Sequence, residues 1–307
     1  MYFRHLEASD PSRYGERDQL SGRGDVCGSH PERNCPQVWR KALEEDNMNI
    51  GHRVLAALSI VVFFSTLSVA QTPVASKEVS VRGVDDSMKG WKPVCVLPSC
   101  NPGGRGIPTA TSQTIHHAKP SKDGSSMKVS LSGPQYTNAL WTYIAGADDH
   151  ATSFSMSLWV YPTAKASVAG SFEYDLFDFS KSSGIEFMWG SQCNQVNRLW
   201  QIFDQLHGHW MNTSVPCSLA PNKWHSVRWD VHRVSGDTNR CSGKPCMYYD
   251  SLTVDNVVHP VNAKYPAGSL PRGWTSAVGF QVQIDIGSTG PNVTVDEYLD
   301  LADFVAI

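Results

Sequence analysis

The chain has 307 residues, of which 41% are apolar and 18% charged, with 24 Gly, 18 Pro, 10 Trp, 10 Tyr and 11 Phe. That composition excludes a coiled coil, a collagen-like repeat and a wholly disordered chain. A formal net charge of −3 leaves no basic footprint, which argues against nucleic acid as a partner.

Residues 1–47 are polar, Gly-rich and without hydrophobic period, so they read as a disordered extension ahead of an alternative start at Met48. Val54 to Ala70 is an apolar run without a charge. Arg53 precedes it and the small-x-small exit Ser68-Val69-Ala70 closes it. Basic flank, apolar run and small-residue exit are the parts of a secretory signal peptide, expected over 48–70 and cut before Gln71. The protein is then secreted, or extracytoplasmic. It meets a membrane only if the segment stays uncleaved, and a run this short is at the lower limit for spanning a bilayer.

Residues 71–110 read as a linker: 71–92 are polar and aperiodic, and 93–110 hold too many Pro and Gly for more than a stapled turn. Six cysteines follow Gln71 as local pairs, Cys95 with Cys100, Cys193 with Cys217 and Cys241 with Cys246. Export favours three local disulfides. The two C-x4-C pairs also have a spacing that zinc sites use, the minority reading in an oxidising compartment.

From about 111 to 307 short β-type runs alternate with turn signals. In SFSMSLWVYP, Phe154, Met156, Leu158 and Val160 share one face, and Trp159 and Tyr161 the other. In KWHSVRWDVHRV, Val227, Trp229 and Val231 oppose Trp224, Ser226, Arg228, Asp230 and His232. In GFQVQIDIG, Phe280, Val282, Ile284 and Ile286 oppose Gln281, Gln283 and Asp285. YYDSLTVDNVVHPV reads as two strands joined at Asp255-Asn256. Ten to thirteen strands with no helices between them predict an all-β fold, an antiparallel two-sheet β-sandwich.

The polar strand faces carry aromatics beside amides and acids. Rings stack on the C–H faces of sugars while amides and carboxyls meet their hydroxyls, so a polysaccharide or glycan suits such a surface. The expected carbohydrate-binding residues are Trp159, Tyr161, Glu173, Asp175, Arg228, Gln281, Gln283 and Asp285, lying on one sheet face. The sharpest acidic cluster is SFEYDLFDF. Strict alternation puts Glu173 and Asp175 on one side and Asp178 on the other, whereas a single bulge after Asp175 unites all three.

E-Y-D-L-F-D resembles the E-x-D-x-x-E signature of laminarinase- and lichenase-type β-glucanases, in the concanavalin A-like lectin/glucanase superfamily. Trp224-His225 with Trp229 is similar to the W-H-x-x-x-x-W strand of those enzymes, and Asp255-Asn256 and VDEYLDLADFVAI resemble their hairpin and final strand. The resemblance covers 125–307 and implies a concanavalin A-like jelly roll. It further implies Glu173 as nucleophile, Asp175 as assisting carboxylate and Asp178 as acid/base of a retaining endo-β-glycanase. Asp178 stands where the signature has Glu, one methylene short.

His207-Gly208-His209 reads as a turn with two exposed imidazoles rather than a metal site, and no cofactor is implied. Asp148-Asp149 leaves a structural calcium open. Asn212-Thr213-Ser214 and Asn292-Val293-Thr294 fit the N-glycosylation sequon. The favoured function is carbohydrate binding. The alternatives are the retaining glycanase and a non-sugar adhesion module.

Overall fold

The computed structural model describes residues 78–93, 106–235, 241, 243–287 and 292–307. The extension over 1–47, the signal peptide over 48–70 and the Cys95–Cys100 pair lie outside the described residues.

Two antiparallel sheets form a sandwich, as the alternation predicts. The first sheet is built from β1 (Val79–Val81), β3 (Ala110–His117), β4 (Ser126–Gly133), β6 (Ser153–Pro162), β12 (His225–Val234), β13 (Cys246–Val254), β14 (Val257–Pro266) and β17 (Val293–Ala306). Its order is β14-β13-β12-β6-β17-β4-β3, with β1 also paired to β17. The second sheet contains β2 (Trp91–Pro93), β5 (Asn138–Gly146), β7 (Ala169–Ser180), β8 (Ile185–Trp189), β9 (Ser191–Asn194), β10 (Leu199–Asp204), β11 (His209–Pro216), β15 (Gly268–Ser269) and β16 (Ala277–Ile286). Its order is β11-β10-β9-β7-β16-β5-β2, with β8 pairing β7 and β15 pairing β8.

The core lies between the sheets. Met156 and Leu158 of β6, Val227 and Trp229 of β12, and Leu299 and Phe304 of β17 meet Phe172, Tyr174 and Leu176 of β7 and Phe280, Val282 and Ile284 of β16. Each strand supplies alternate residues to this layer because successive side chains leave the backbone on opposite faces. Asp255 and Asn256 both take positive φ, 51° and 66°, the two-residue turn that matches strand twist in a hairpin.

The linker expected over 71–92 is corrected within its described part, 78–92, by two short strands. Val79–Val81 pairs with Phe304–Ala306, and Trp91–Pro93 pairs with Trp141–Tyr143. Trp91 is buried, edge-on to Tyr143 and Phe280, and its indole N–H donates to the Val84 carbonyl at 2.8 Å. Tertiary burial of one ring and backbone pairing order a segment too short to show a period.

Cys193–Cys217 and Cys241–Cys246 are disulfides, which removes the zinc reading for the Cys241–Cys246 pair. The first closes a separation of 24 residues and pins β9 to the chain leaving β11. Replacing Cys193 and Cys217 with Ala together is expected to lower unfolding free energy by about 3 kcal/mol, read by urea denaturation.

Candidate functional site

Strand order, rather than alternation, decides which polar faces meet. Trp159 and Tyr161 alternate with the core residues of β6 and therefore lie on the outer side of the first sheet. Trp159 stands beside Ser226 and Asp300 there, under the Lys122 ammonium at 3.8 Å. Tyr161 lies between Trp224 and Tyr298. Arg228 shares that side, with its guanidinium committed to Asp230 at 2.6–3.1 Å. Glu173, Asp175, Gln281, Gln283 and Asp285 lie on the outer side of the second sheet. The expected single surface is thus corrected: the eight residues divide between opposite sides of the sandwich.

The carboxylate triad is corrected as well. Pairing of β7 with β16 runs without a register shift from Phe172 through Phe179, so no bulge follows Asp175. Asp178 consequently points between the sheets, 3.0 Å from the Arg233 guanidinium. The acid/base position of a glycanase is not on the face that holds Glu173 and Asp175.

What the second sheet does present is an ordered set of rows running across its strands. One row takes Thr142 (β5), Gln281 (β16), Asp175 (β7), Gly190, Phe203 (β10) and Trp210 (β11). The next takes Leu140, Gln283, Glu173, Gln192 (β9), Gln201 and Asn212. A third begins with Asn138, Asp285 and Ser171. These side chains are packed shoulder to shoulder: Glu173 is 4% exposed, Asp175 0%, Gln281 3% and Thr142 1%.

Hydrogen bonds knit the rows. The Gln281 amide donates to Asp175 Oδ2 at 2.7 Å, and the Ser191 N–H donates to Asp175 Oδ1 at 2.7 Å. Ser171 Oγ donates to Asp285 at 2.6 Å, and the Gln283 amide donates at 3.1 Å. Gln192 Nε2 (2.5 Å) and Asn194 Nδ2 (3.0 Å) both donate to Gln201 Oε1, whose own amide nitrogen donates to Asn212 Oδ1 at 2.8 Å. Of this amide row the sequence singled out Asn212 alone, as part of a sequon. The alternation of Trp200 and Ile202 with Gln201 and Phe203 in LWQIFD carries the signal for the row.

Among the described residues no Lys, Arg or His is within ion-pair distance of Glu173, Asp175 or Asp285. Desolvation raises all three carboxyls. Asp175 reaches about 7, held back by the Gln281 and Ser191 donors. Glu173 rises well above the usual range, pushed further by Asp285 and Asp175. Asp285 rises less because Glu173, Ser171, Gln283 and Asn138 hydrogen-bond it. Burial thus shifts all three carboxyls towards their protonated forms, and a protonated carboxyl adds a donor to a face of acceptors and amides.

Two buried atoms in the first row have no partner, Gln281 Oε1 and Thr142 Oγ1. Such atoms cost stability unless something hydrogen-bonds them. At one end of that row Phe203 and the half-buried Trp210 meet edge to face at 5.1 Å. Gly190 makes room for them, since a β-carbon there would stand 2.8 Å from Phe203 Cβ. Along its other long side the row abuts a satellite apolar cluster in which Trp274 covers Phe179, beside Phe177, Met188 and Ala277. The rows therefore form a polar floor beside an apolar wall.

Asp148 Oδ1 accepts the His150 and Ala151 N–H groups. His207 pairs with Asp204 at 2.6 Å. Among the described residues no group of three or more His, Cys, Asp and Glu is placed to hold a metal ion.

No protein-family model matches the chain, and no curated protein does. Among solved structures it is similar to a carbohydrate esterase from the Shiga toxin-encoding bacteriophage phi24B. That match has 9% identity, covers 75% of this chain and 99% of that one, and has a TM-score of 0.41. A cellulose-induced protein matches at 9% identity over 73% and 96% of the two chains, with a TM-score of 0.43. Arcelin-5, a lectin-like defence protein from Phaseolus vulgaris, matches at 12% identity over 75% and 98%, with a TM-score of 0.39. No residue role is carried over from any of them.

Proposed function

We propose that the chain is a secreted carbohydrate-binding protein whose site is the polar floor of the second sheet. The single observation that carries this reading is the first row, where the unpartnered Gln281 Oε1 and Thr142 Oγ1 share a line with Asp175 and the Trp210 ring. Both orphan oxygens are acceptors without a donor, and a sugar hydroxyl supplies one when these closely packed side chains shift to admit it. Trp210, half-buried and backed by the buried Phe203, offers an apolar surface to the C–H face of a pyranose. From β5 to β11 the row crosses five strand spacings of about 4.8 Å, some 24 Å in all, a length for a polymer rather than a monosaccharide. A face rich in amides, with three carboxyls and no cation within ion-pair distance of them among the described residues, disfavours an acidic polysaccharide.

The resemblance to concanavalin A-like glucanases is then one of architecture, with the carboxylate set redirected from cleavage to hydrogen bonding. Secretion is supported by the two disulfides, which persist in oxidising compartments. Amino-terminal sequencing of the exported protein should find Gln71 first.

Affinity electrophoresis against a panel of neutral and acidic polysaccharides tests the site. Trp210→Ala and Gln281→Ala are each expected to weaken binding about tenfold or more, as befits a lost stacking anchor or buried acceptor. Trp159→Ala, on the opposite side, should leave binding unchanged. A loss with Trp159→Ala and none with Trp210→Ala would move the site to the first sheet and end this reading.

A further inference from the structure

We propose that Asn212 carries an N-linked glycan whose first sugar packs on Trp210, so that the protein's own carbohydrate competes for one end of its binding face. The inference rests on the reading of that face as a sugar site.

β11 is the edge strand of the second sheet, so among the described residues no further strand lies beyond it to block an attached sugar. Asn212 and Ser214 point outward and are exposed, while Thr213 turns inward to donate to the Trp200 carbonyl at 2.8 Å. The Asn212 amide is already oriented. Its Oδ1 accepts from Gln201 Nε2 at 2.8 Å and from Asn197 Nδ2 at 3.1 Å, and its Nδ2 has no acceptor among the described residues. That nitrogen is the atom a glycan uses, so attachment sacrifices none of these bonds. Trp210 is two residues earlier on the same strand and therefore on the same face, where a sugar on Asn212 meets its ring.

The donor is a polyprenyl-diphosphate oligosaccharide of the secretory pathway. Asn212 Nδ2 forms a bond to C1 of its first sugar, the C1–O bond to diphosphate breaks, the lipid diphosphate leaves with the electron pair, and the amide gives up one proton.

The test uses full-length protein exported by a eukaryotic host. Peptide mapping after amide-cleaving glycosidase treatment in heavy-oxygen water should label Asn212, and Ser214→Ala should abolish that label while leaving the Asn212–Gln201 bond in place. An unlabelled Asn212 would overturn the proposal. Native protein should release this glycan at least tenfold more slowly than denatured protein, and Trp210→Ala should abolish the protection. Equal release from native and denatured protein would refute packing on the face. The polysaccharide panel, repeated in the Ser214→Ala background, separates the two ideas. Tighter binding there supports competition, and an occupied, protected Asn212 on a protein that binds nothing upholds the glycan while sinking the proposed function.

Discussion

Arg233→Ala is expected to lower the free energy of unfolding by about 3–5 kcal/mol, the cost of stripping one partner from a buried ion pair. Arg233 reaches from β12 across the end of the sandwich. Its Nη1 is 3.0 Å from Asp178 Oδ2, its Nε donates to the Ala151 carbonyl at 2.6 Å and its Nη2 donates to the Asp149 carbonyl at 2.6 Å. The guanidinium also lies over the Phe187 ring at 4.8 Å. The side chains of Arg233 and Asp178 are 5% and 0% exposed, so neither is hydrated when its partner leaves. One residue therefore ties the first sheet, the second sheet and the loop after β5. Burial already lifts Asp178 to about 7 against the pull of Arg233. Without the cation its folded pKa rises further, so the variant's deficit should grow from pH 5 to pH 8. Urea denaturation at the two pH values checks this. A deficit under 1 kcal/mol, or one that shrinks with rising pH, would refute it. Arg233→Met with Asp178→Leu should recover most of the loss.

Glu297→Gln is expected to stabilise the protein at pH 8 by several kcal/mol while changing little at pH 4.5. Glu297 of β17 and Tyr174 of β7 face each other across the core, and the Tyr174 hydroxyl donates to Glu297 Oε1 at 2.5 Å. Its second oxygen has no partner. Burial lifts the carboxyl to about 8, with the Tyr174 bond opposing. The folded protein thus keeps a proton that the unfolded chain releases near pH 4.5. The associated stability is fully present below that pH and is lost as pH rises through about 8, a swing on the order of 4 kcal/mol. A neutral Gln retains an oxygen for Tyr174 and has no proton to lose. Thermal melts of both proteins between pH 4.5 and 8.5 should show a steeper alkaline decline in the parent. Parallel profiles would refute the assignment.

The division of residues into inward and outward was legible in the sequence wherever a strand was long enough to alternate. Phe154, Met156, Leu158 and Val160, then Val227, Trp229 and Val231, and Phe280, Val282, Ile284 and Ile286 all face the core as their period of two requires. The Asp255-Asn256 turn was equally legible, because its two residues tolerate positive φ. Sheet membership was not. Trp159 and Gln281 are both outward, but β6 belongs to one sheet and β16 to the other, and strand order is set by contacts far apart in sequence. The side of Asp178 was open for a similar reason. Either a bulge or strict alternation fits EYDLFD, and the choice fell to the satellite cluster, which draws Phe177 and Phe179 outward beneath Trp274 and sends Asp178 inward. The rest of the amide row escaped notice because β9 is four residues long and its partners come from separate hairpins.

The position of β17 has a bearing on how the chain is made. It runs between β6 and β4 in the middle of the first sheet and follows every other described strand in sequence. As the polypeptide leaves the ribosome, the β3–β4 hairpin and the β6–β12–β13–β14 ribbon must each wait with a bare edge until residues 293–306 arrive to join them. During that interval the nascent chain exposes two unpaired strand margins, the kind of surface on which neighbouring molecules adhere. Newly made chains are therefore exposed to edge-to-edge association late in synthesis, and lesions in β17 are expected to surface as lost yield.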